Sequence, residues 1–423
     1  MIITRSWLEE FIDISKIPTD DICKTLNAIG FEVDSLERIS IAPKVVIGKV
    51  LEKEKHPDAD KLNICQVDLG THQVQIVCGA KNVEAGQFVP VATVGCDLGN
   101  NFVIKEAKLR GVESNGMICS ATELGLPKLN DGILELDDSI GELVLGKELK
   151  EYSKLNDDII EIGLTANRGD CLSINGIVRE LGAFYSIVLI ECDKKINYNK
   201  LGIGQLLEIE CDKHIDSSLS FIVIDFSDFK LNVLQKLRTA IIGKFQENND
   251  VKNILTYTTH TTGVILNAYS KEKTIKGENL NIMYIKKDEL GFDNIYGTEQ
   301  LSKICVEHNE IDTNDTNFII EASYINPELI SKKVFDAKIK TGEVYYKASR
   351  GSEPNIDYGI NYLSTLVSKS GASIYGGCET FVEDKEKLTL DISVNKINAI
   401  IGQEIPKIEI ERILVSLGFV VKD

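Results

Sequence analysis

No apolar run in this chain approaches the roughly 18 residues needed to cross a bilayer. The opening Met1-Ile2-Ile3-Thr4-Arg5 lacks the basic-then-apolar order of a secretory signal. Both absences lead us to expect a cytoplasmic chain with no membrane partner. Paired cysteines are missing too: Cys23, Cys65, Cys78, Cys96, Cys119, Cys171, Cys192, Cys211, Cys305 and Cys378 are scattered, with no C-x-x-C spacing. That pattern speaks against a zinc or disulfide framework and predicts reduced, buried thiols acting as small hydrophobes. Positive charge is scarce, with 47 Lys and Arg against 65 Asp and Glu and a net charge of −18. A surface that holds nucleic acid non-specifically is thereby excluded, and any such contact must be local and short-ranged at physiological salt. A Walker-type glycine loop is also lacking.

What is present is an ordinary globular composition, 43% hydrophobic and 26% charged over 423 residues, enough for about three domains. The most informative stretch lies between residues 45 and 120. Val45, Ile47 and Val50-Leu51 open a β-rich run, HPDADKL at 56–62 is a polar turn carrying a proline, and Leu62, Ile64 and Val67 resume a period near two. Gly70, Gly79, Gly86, Gly95, Gly99 and Gly111 punctuate further short strands, which predicts a small five-stranded barrel. Lys49, Lys53, Lys55, Lys61, Lys81, Lys105, Lys108 and Arg110 lie in it. On charge alone they fit a phosphate-binding patch and a solvated mixed-charge face equally well.

The flanks read as helical. Ser6-Trp7-Leu8-Glu9 has the form of a capping box. A second helix should start at Thr19, with Asp20 and Asp21 favoured by the dipole, an apolar face of Ile22, Leu26 and Ile29, and a stop at Gly30. This unit recurs near the end of the chain. Ile17, Pro18, Ile22, Leu26, Ile29, Gly30, Phe31 and Val33 match Ile405, Pro406, Ile410, Leu414, Leu417, Gly418, Phe419 and Val421 at a constant offset (405 − 17 = 388). The second copy is cut off at Asp423, the expectation being a piece of something longer. TANRGDCLS at 165–173 reads as a turn and N-cap, with Asp170 or Ser173 satisfying free amides before an apolar helix over 174–185.

Taken together, SWL at 6–8, HPDADKL, IVCGAKN at 76–82, LRGVESNGMICS at 109–120, ELGL at 123–126, TANRGDCLS, REL at 179–181 and ILVSLGF at 413–419 resemble the β subunit of bacterial phenylalanyl-tRNA synthetase. The barrel motifs alone are shared with free-standing tRNA-binding proteins; their combination with TANRGDCLS is far more specific. The resemblance implies an α+β multidomain chain. An OB-fold tRNA-binding barrel (41–150) is inserted in a helical and mixed N-terminal domain (1–40 plus 151–195). A mixed α/β editing-type domain (200–380) and the truncated start of a second helical unit (385–423) follow. It also implies an α2β2 enzyme in which the separate α subunit holds the aminoacylation site, with ATP and magnesium bound by the assembled enzyme and no metal within this chain. The partners are then the α subunit and tRNA(Phe), the latter met by Lys53, Lys55, Lys61, Lys81 and Arg110.

In that family the editing domain hydrolyses tyrosine wrongly attached to the tRNA, because a pocket for phenylalanine rejects the extra hydroxyl only about a hundredfold. Here the sequence departs from its relatives. Aligned on Asn249 and Gly263, Thr261 stands where the family has a Glu and Asn267 where it has a His, while Glu321 and Arg350-Gly351 fit the pattern. An amide and a hydroxyl cannot act as general bases near neutral pH, so the resemblance leads us to expect an editing pocket at Thr261, Asn267 and Glu321 whose chemistry is degenerate. His260 is a displaced candidate, though a lone His among threonines is more often structural. Two other readings remain open: an aminoacyl-tRNA hydrolase editing with rearranged residues, and a stand-alone tRNA-binding or assembly module.

Overall fold

The computed structural model describes residues 1–423 except 100, 192–195, 197, 279, 313, 383–388 and 423. Cys192, Asp423 and the first residues of the expected segment 385–423 therefore lie outside the described residues. Strand β1 (Ile2–Thr4) runs into helix α1 (Arg5–Leu8), and Thr4, not Ser6, is its N-cap, accepting the Trp7 amide at 3.3 Å. The expected capping box does not form. Ser6 lies inside the helix and gives its amide, at 2.9 Å, and its hydroxyl to the buried Asp157 carboxylate, while Glu9 pairs with Arg5 at 3.0 Å. A buried carboxylate needs donors, and Ser6 supplies two of them, while Thr4, itself buried, takes over the cap.

Helix α2 (Thr19–Ala28) starts at the expected residue, buries Ile22 and Leu26, and gives way to Gly30 at φ +99°. Strand β2 (Glu32–Arg38) follows. Then comes the barrel: β3 (Val45–Lys55), β4 (Asn63–Asp68), β5 (Gln73–Cys78), β6 (Phe88–Ala92), the hairpin β7 (Ala107–Leu109) and β8 (Val112–Ser114), and β9 (Met117–Ile118). Its five-stranded antiparallel sheet has the order β5-β4-β3-β6-β9. The long β3 serves both sides, pairing with β6 through Val45–Lys49 and with β4 through Lys49–Lys55. A Cβ on Gly48 would come within 2.7 Å of Val67 and Val91 side-chain atoms, and the ladder to β4 shifts register between Val50 and Glu52. Val50, Cys65, Val67, Ile76, Val89, Val91 and Ile118 fill the interior. The sheet nearly closes where the Asn115 amide donates to the Gln75 carbonyl at 2.8 Å and the Val77 amide to the Ser114 hydroxyl at 3.0 Å.

The chain leaves for the barrel beside the point of its return: the Ile39 amide meets the Asp157 carbonyl at 2.9 Å, and the Ile41 amide meets the Asn156 side chain at 2.8 Å. Strand β10 (Asp158–Gly163) then lies between β1 and β2, and α3 (Ile174–Tyr185) covers them. Beyond it come β11 (Tyr198–Gly202), β12 (Leu207–Cys211), β13 (Ser217–Asp225), α4 (Val233–Ile241), α5 (Asp250–Thr262), β14 (Ile265–Ser270), β15 (Ile275–Lys276), β16 (Asn281–Lys287), β17 (Asp293–Tyr296), β18 (Gln300–Lys303), β19 (Glu307–His308), β20 (Asn317–Ile325), α6 (Pro327–Ala337), α7 (Glu343–Arg350), α8 (Ile356–Lys369), β21 (Ser373–Gly376) and β22 (Glu379–Phe381). They form two sheets, β11-β21-β13-β20-β14 with β22 beside β13, and β12-β16-β17-β18-β19 with β15 beside β16.

The apolar core does not divide at residue 200. Trp7, Leu8, Ile12, Ile160, Ile174 and Leu181 share one cluster with Leu255, Leu266, Ile320 and Leu363. Trp7 stacks on Tyr257 at 4.8 Å and 13°. Two last helices, α9 (Val394–Ile401) and α10 (Lys407–Ser416), complete the described elements. α10 repeats α2 residue for residue at the offset of 388. Pro18 and Pro406 precede them at φ −59°, Gly30 and Gly418 follow at φ +99° and +93°, and the Phe31 and Phe419 amides reach back to Leu26 and Leu414 at 3.0 Å each. Packing differs between the copies: Phe31 is 3% exposed and Phe419 59%.

Candidate nucleic-acid interface and the editing-type cluster

The HPDADKL turn and the LRG turn meet in space, and His56 joins them. Its ring accepts the Asp58 amide at Nδ1 (3.1 Å), which leaves the proton on Nε2 to donate to the Leu109 carbonyl (3.0 Å). The hairpin β7–β8 is thus held against the barrel, with Gln75 gripping the Glu113 carbonyl at 2.7 Å from the other side. Its two-residue turn has Arg110 at φ +52° and Gly111 at φ +87°. Left-handed backbone suits a tight hairpin, but for a residue with a Cβ it carries a conformational cost. Arg110 is presented at an exposed tip in that conformation.

Of the other cations expected to meet nucleic acid, Lys55, Lys61 and Lys81 are exposed and join no ion pair among the described residues. Lys53 is committed to Glu84 at 2.7 Å with its stem half-buried. Beside the hairpin opens a groove of about 640 Å³, lined by Phe102, Lys105, Leu109, Ser114, Met117 and Ser120 among others. That volume is in the range of ligand-binding clefts. Phe102 is half exposed at its rim, a flat apolar face on which an unpaired base can stack.

The editing-type residues lie elsewhere, and the structure does not bring all of them together. On β14, Leu266 and Ala268 face the helix layer, whereas Ile265 and Tyr269 face the second sheet. Alternation along the strand puts Asn267 on the second-sheet side, directly across from Glu321 of β20. Thr261 belongs to the last turn of α5 in the helix layer, its hydroxyl spent on the Tyr257 carbonyl at 2.8 Å. Tyr269, which the sequence reading passed over, donates its phenol to Glu321 and lies 2.8 Å from the Ser302 hydroxyl. Burial pushes the Glu321 carboxyl up, and burial together with that carboxyl pushes the Tyr269 phenol well up. Asn267, Tyr269, Ser302 and Glu321 are all buried. The signal for Tyr269 was there in the period-two spacing of Ile265, Asn267 and Tyr269.

His260 is structural. Its Nε2–H donates to the Ile2 carbonyl at 2.7 Å and its ring lies 5.1 Å from Trp7, so burial lowers its pKa to about 3. TANRGDCLS is the turn it was read as, with Ser173 capping α3 through the Gly176 amide at 3.1 Å. A Cβ on Gly169 would come within 2.0 Å of the Arg350 carbonyl oxygen, so only glycine admits that approach. Asp170, Cys171 and Glu180 converge as three metal-ligand types do, but the Arg168 guanidinium occupies their centre. It bonds Asp170 through two nitrogens at 2.9 and 3.0 Å and reaches Cys171 and Glu180 as well. The nine described cysteines are free thiols, and burial pushes those of Cys65 and Cys119 up to about 11 and about 12. No helix among the described residues is long and apolar enough to cross a membrane.

Residues 45–142 match the family described as "Putative tRNA binding domain". Over 99% of its length the chain is 45% identical to a protein of Wolinella succinogenes named phenylalanine–tRNA ligase beta subunit, of which it covers 55%. Proteins of the same name from Campylobacter jejuni (41% identity, 99% of this chain and 55% of the relative) and Helicobacter pylori (42%, 96% and 51%) match likewise. The chain spans about half the length of the curated relatives it matches. Solved structures similar to parts of it include a methionyl-tRNA synthetase-related protein from Pyrococcus horikoshii (25% identity, TM-score 0.19, 25% of this chain and 87% of that one). Another is an N-terminal fragment of the phenylalanyl-tRNA synthetase beta subunit from the same organism (11%, 0.27, 62% and 77%).

Proposed function

We propose, from this homology to phenylalanine–tRNA ligase β subunits, that the chain is the tRNA-binding part of such a subunit and does not itself aminoacylate. The observation that carries the reading is 45% identity over 99% of the chain to a protein of that name, and the barrel with its cationic hairpin supports it. A separate α subunit is the partner, in an α2β2 assembly of the cytoplasm. It supplies the site that joins phenylalanine to tRNA(Phe), and ATP and magnesium belong to that assembled enzyme. The domain layout follows the chain: 1–40 with 151–195, the inserted barrel 41–150, the editing-type region 200–380 and the second helical unit 385–423. tRNA is held at the barrel mainly through phosphates, by Lys55, Lys61, Lys81 and Arg110, with Lys53 weakened by its pairing to Glu84. Tyrosyl-tRNA editing is degenerate, because Asn267 is no base and the Glu321 carboxyl is engaged by the chain's own phenol.

Co-expression with the α subunit of the same organism tests the assignment. The two should copurify, with phenylalanine-dependent pyrophosphate exchange in the complex and none in this chain alone. Exchange by the isolated chain, or failure of this chain to copurify with α, would refute it.

A further inference from the structure

In a chain of net charge −18, residues 327–350 carry six cations (Lys332, Lys333, Lys338, Lys340, Lys347 and Arg350) against three anions (Glu328, Asp336 and Glu343). The structure sorts them. Lys333 is neutralised by Asp216, Glu343 is paired with Lys244 at 2.6 Å, and Lys347 turns inward to the Leu172 carbonyl. Lys332, Lys338 and Lys340 stay exposed, in no ion pair among the described residues. Helix α6 buries Ile330 and Val334, so Lys332 and Phe335 face away from the core, and Phe335 is 80% exposed. On the adjoining α7, Tyr346 is half exposed and the Arg350 guanidinium lies 4.2 Å from its ring. Lys338 ends α6 in the left-handed region at φ +51°, where glycine is the usual residue, so a lysine is kept there at a conformational cost.

We propose that this α6–α7 face is a second RNA-binding surface, distinct from the barrel, that takes an unpaired single-stranded segment. Exposed rings and exposed cations on and between two adjoining helices match the two faces of such a strand. Bases stack on Phe335 and on the Tyr346–Arg350 pair, and phosphates pair with Lys332, Lys338 and Lys340. An acidic peptide would use the lysines and leave the rings in water. A lipid surface would want a continuous apolar stripe, which Glu328 and Asp336 interrupt. The inference rests on the proposed function only in taking the nucleic acid to be RNA.

The test is fluorescence anisotropy of the full chain with a labelled oligouridylate of about 12 nucleotides, within the site size of sequence-tolerant single-strand binders. It is run in a background of Lys55→Ala, Lys61→Ala, Lys81→Ala and Arg110→Ala, so that the barrel's proposed phosphate contacts are removed. Phe335→Ala with Tyr346→Ala should weaken binding roughly tenfold or more with an unchanged salt slope. Lys332→Gln, Lys338→Gln and Lys340→Gln together should flatten the slope of log affinity against log salt by about 2, near 0.7 per lysine. Equal affinity before and after the aromatic changes, or vesicles of phosphatidylserine displacing the oligonucleotide from this face, would overturn the inference. Failure of the barrel reading shows differently, as tRNA binding that ignores the Lys55, Lys61, Lys81 and Arg110 changes.

Discussion

The imidazole of His56 donates to the carbonyl of Leu109 at 3.0 Å, across 53 residues of sequence, and so fixes the hairpin that carries Arg110. Two consequences follow from one ring: the barrel gains a buried polar tie, and the arginine tip gains a defined place. His56→Ala leaves the Asp58 amide and the Leu109 carbonyl without partners, at a cost of about 1–3 kcal/mol. Denaturant unfolding should register that loss, and tRNA affinity should fall with it. A variant as stable as the parent would show that water replaces the ring at both groups.

Arg110 lets charge be separated from backbone strain. Arg110→Gly relieves the left-handed conformation at φ +52° and should raise stability by about 1 kcal/mol, while removing a phosphate contact. The prediction is a more stable protein that binds tRNA more weakly, with the slope of log affinity against log salt reduced by about 0.7 to 0.9. Arg110→Lys should restore the slope and not the stability. If the glycine variant keeps both affinity and slope, Arg110 is no phosphate contact.

His260 and His308 are held neutral, each with its pKa lowered to about 3 from an ordinary 6.5, first by burial. The unfolded chain binds these protons and the folded chain does not, so stability is full above pH 6.5 and declines as pH falls toward 3. Each histidine contributes up to about 1.4 kcal/mol per pH unit in that window. The raised carboxyls of Glu321 and Asp157 act the other way, gaining from acid, so the total slope mixes both. His260→Gln isolates one term, since the amide can still donate to the Ile2 carbonyl. Its stability should fall less steeply than that of the parent between about pH 6 and pH 4; parallel curves would mean that His260 charges freely when folded.

Local rules made the barrel and the repeated helix legible. Period-two runs between glycine turns need no long-range partner to be seen, and α2 and α10 share caps as well as faces. What escaped were pairings set by the fold. Ser6 looked like a cap until Asp157, 151 residues away, claimed its donors. Lys53 looked free until Glu84 met it from the loop after β5. Thr261 was aligned into a pocket by sequence register, but the helix ends before β14 begins, and the sheet separates its layer from Glu321. Tyr269 and Glu321, 52 positions apart, become partners only once β14 lies beside β20.

That last pairing bears on the proposal that editing is degenerate. The sequence alone suggests Asn267→His with Thr261→Glu, restoring the family residues. In the fold, a Glu at position 261 would bury a carboxylate in the helix layer, which destabilises by several kcal/mol and places no base near Glu321. Asn267→His with Tyr269→Phe instead puts an imidazole across from Glu321 and takes the phenol off its carboxyl without emptying the ring's space. We therefore predict that the assembled parent enzyme hydrolyses tyrosyl-tRNA about 10² to 10⁴ times more slowly than an editing homologue, the cost of a missing general base. Asn267→His paired with Tyr269→Phe should recover activity, and Asn267→His paired with Thr261→Glu should not. Deacylation of tyrosyl-tRNA by the parent at the homologue's rate would defeat the prediction, and so would rescue by the Asn267→His, Thr261→Glu pair alone.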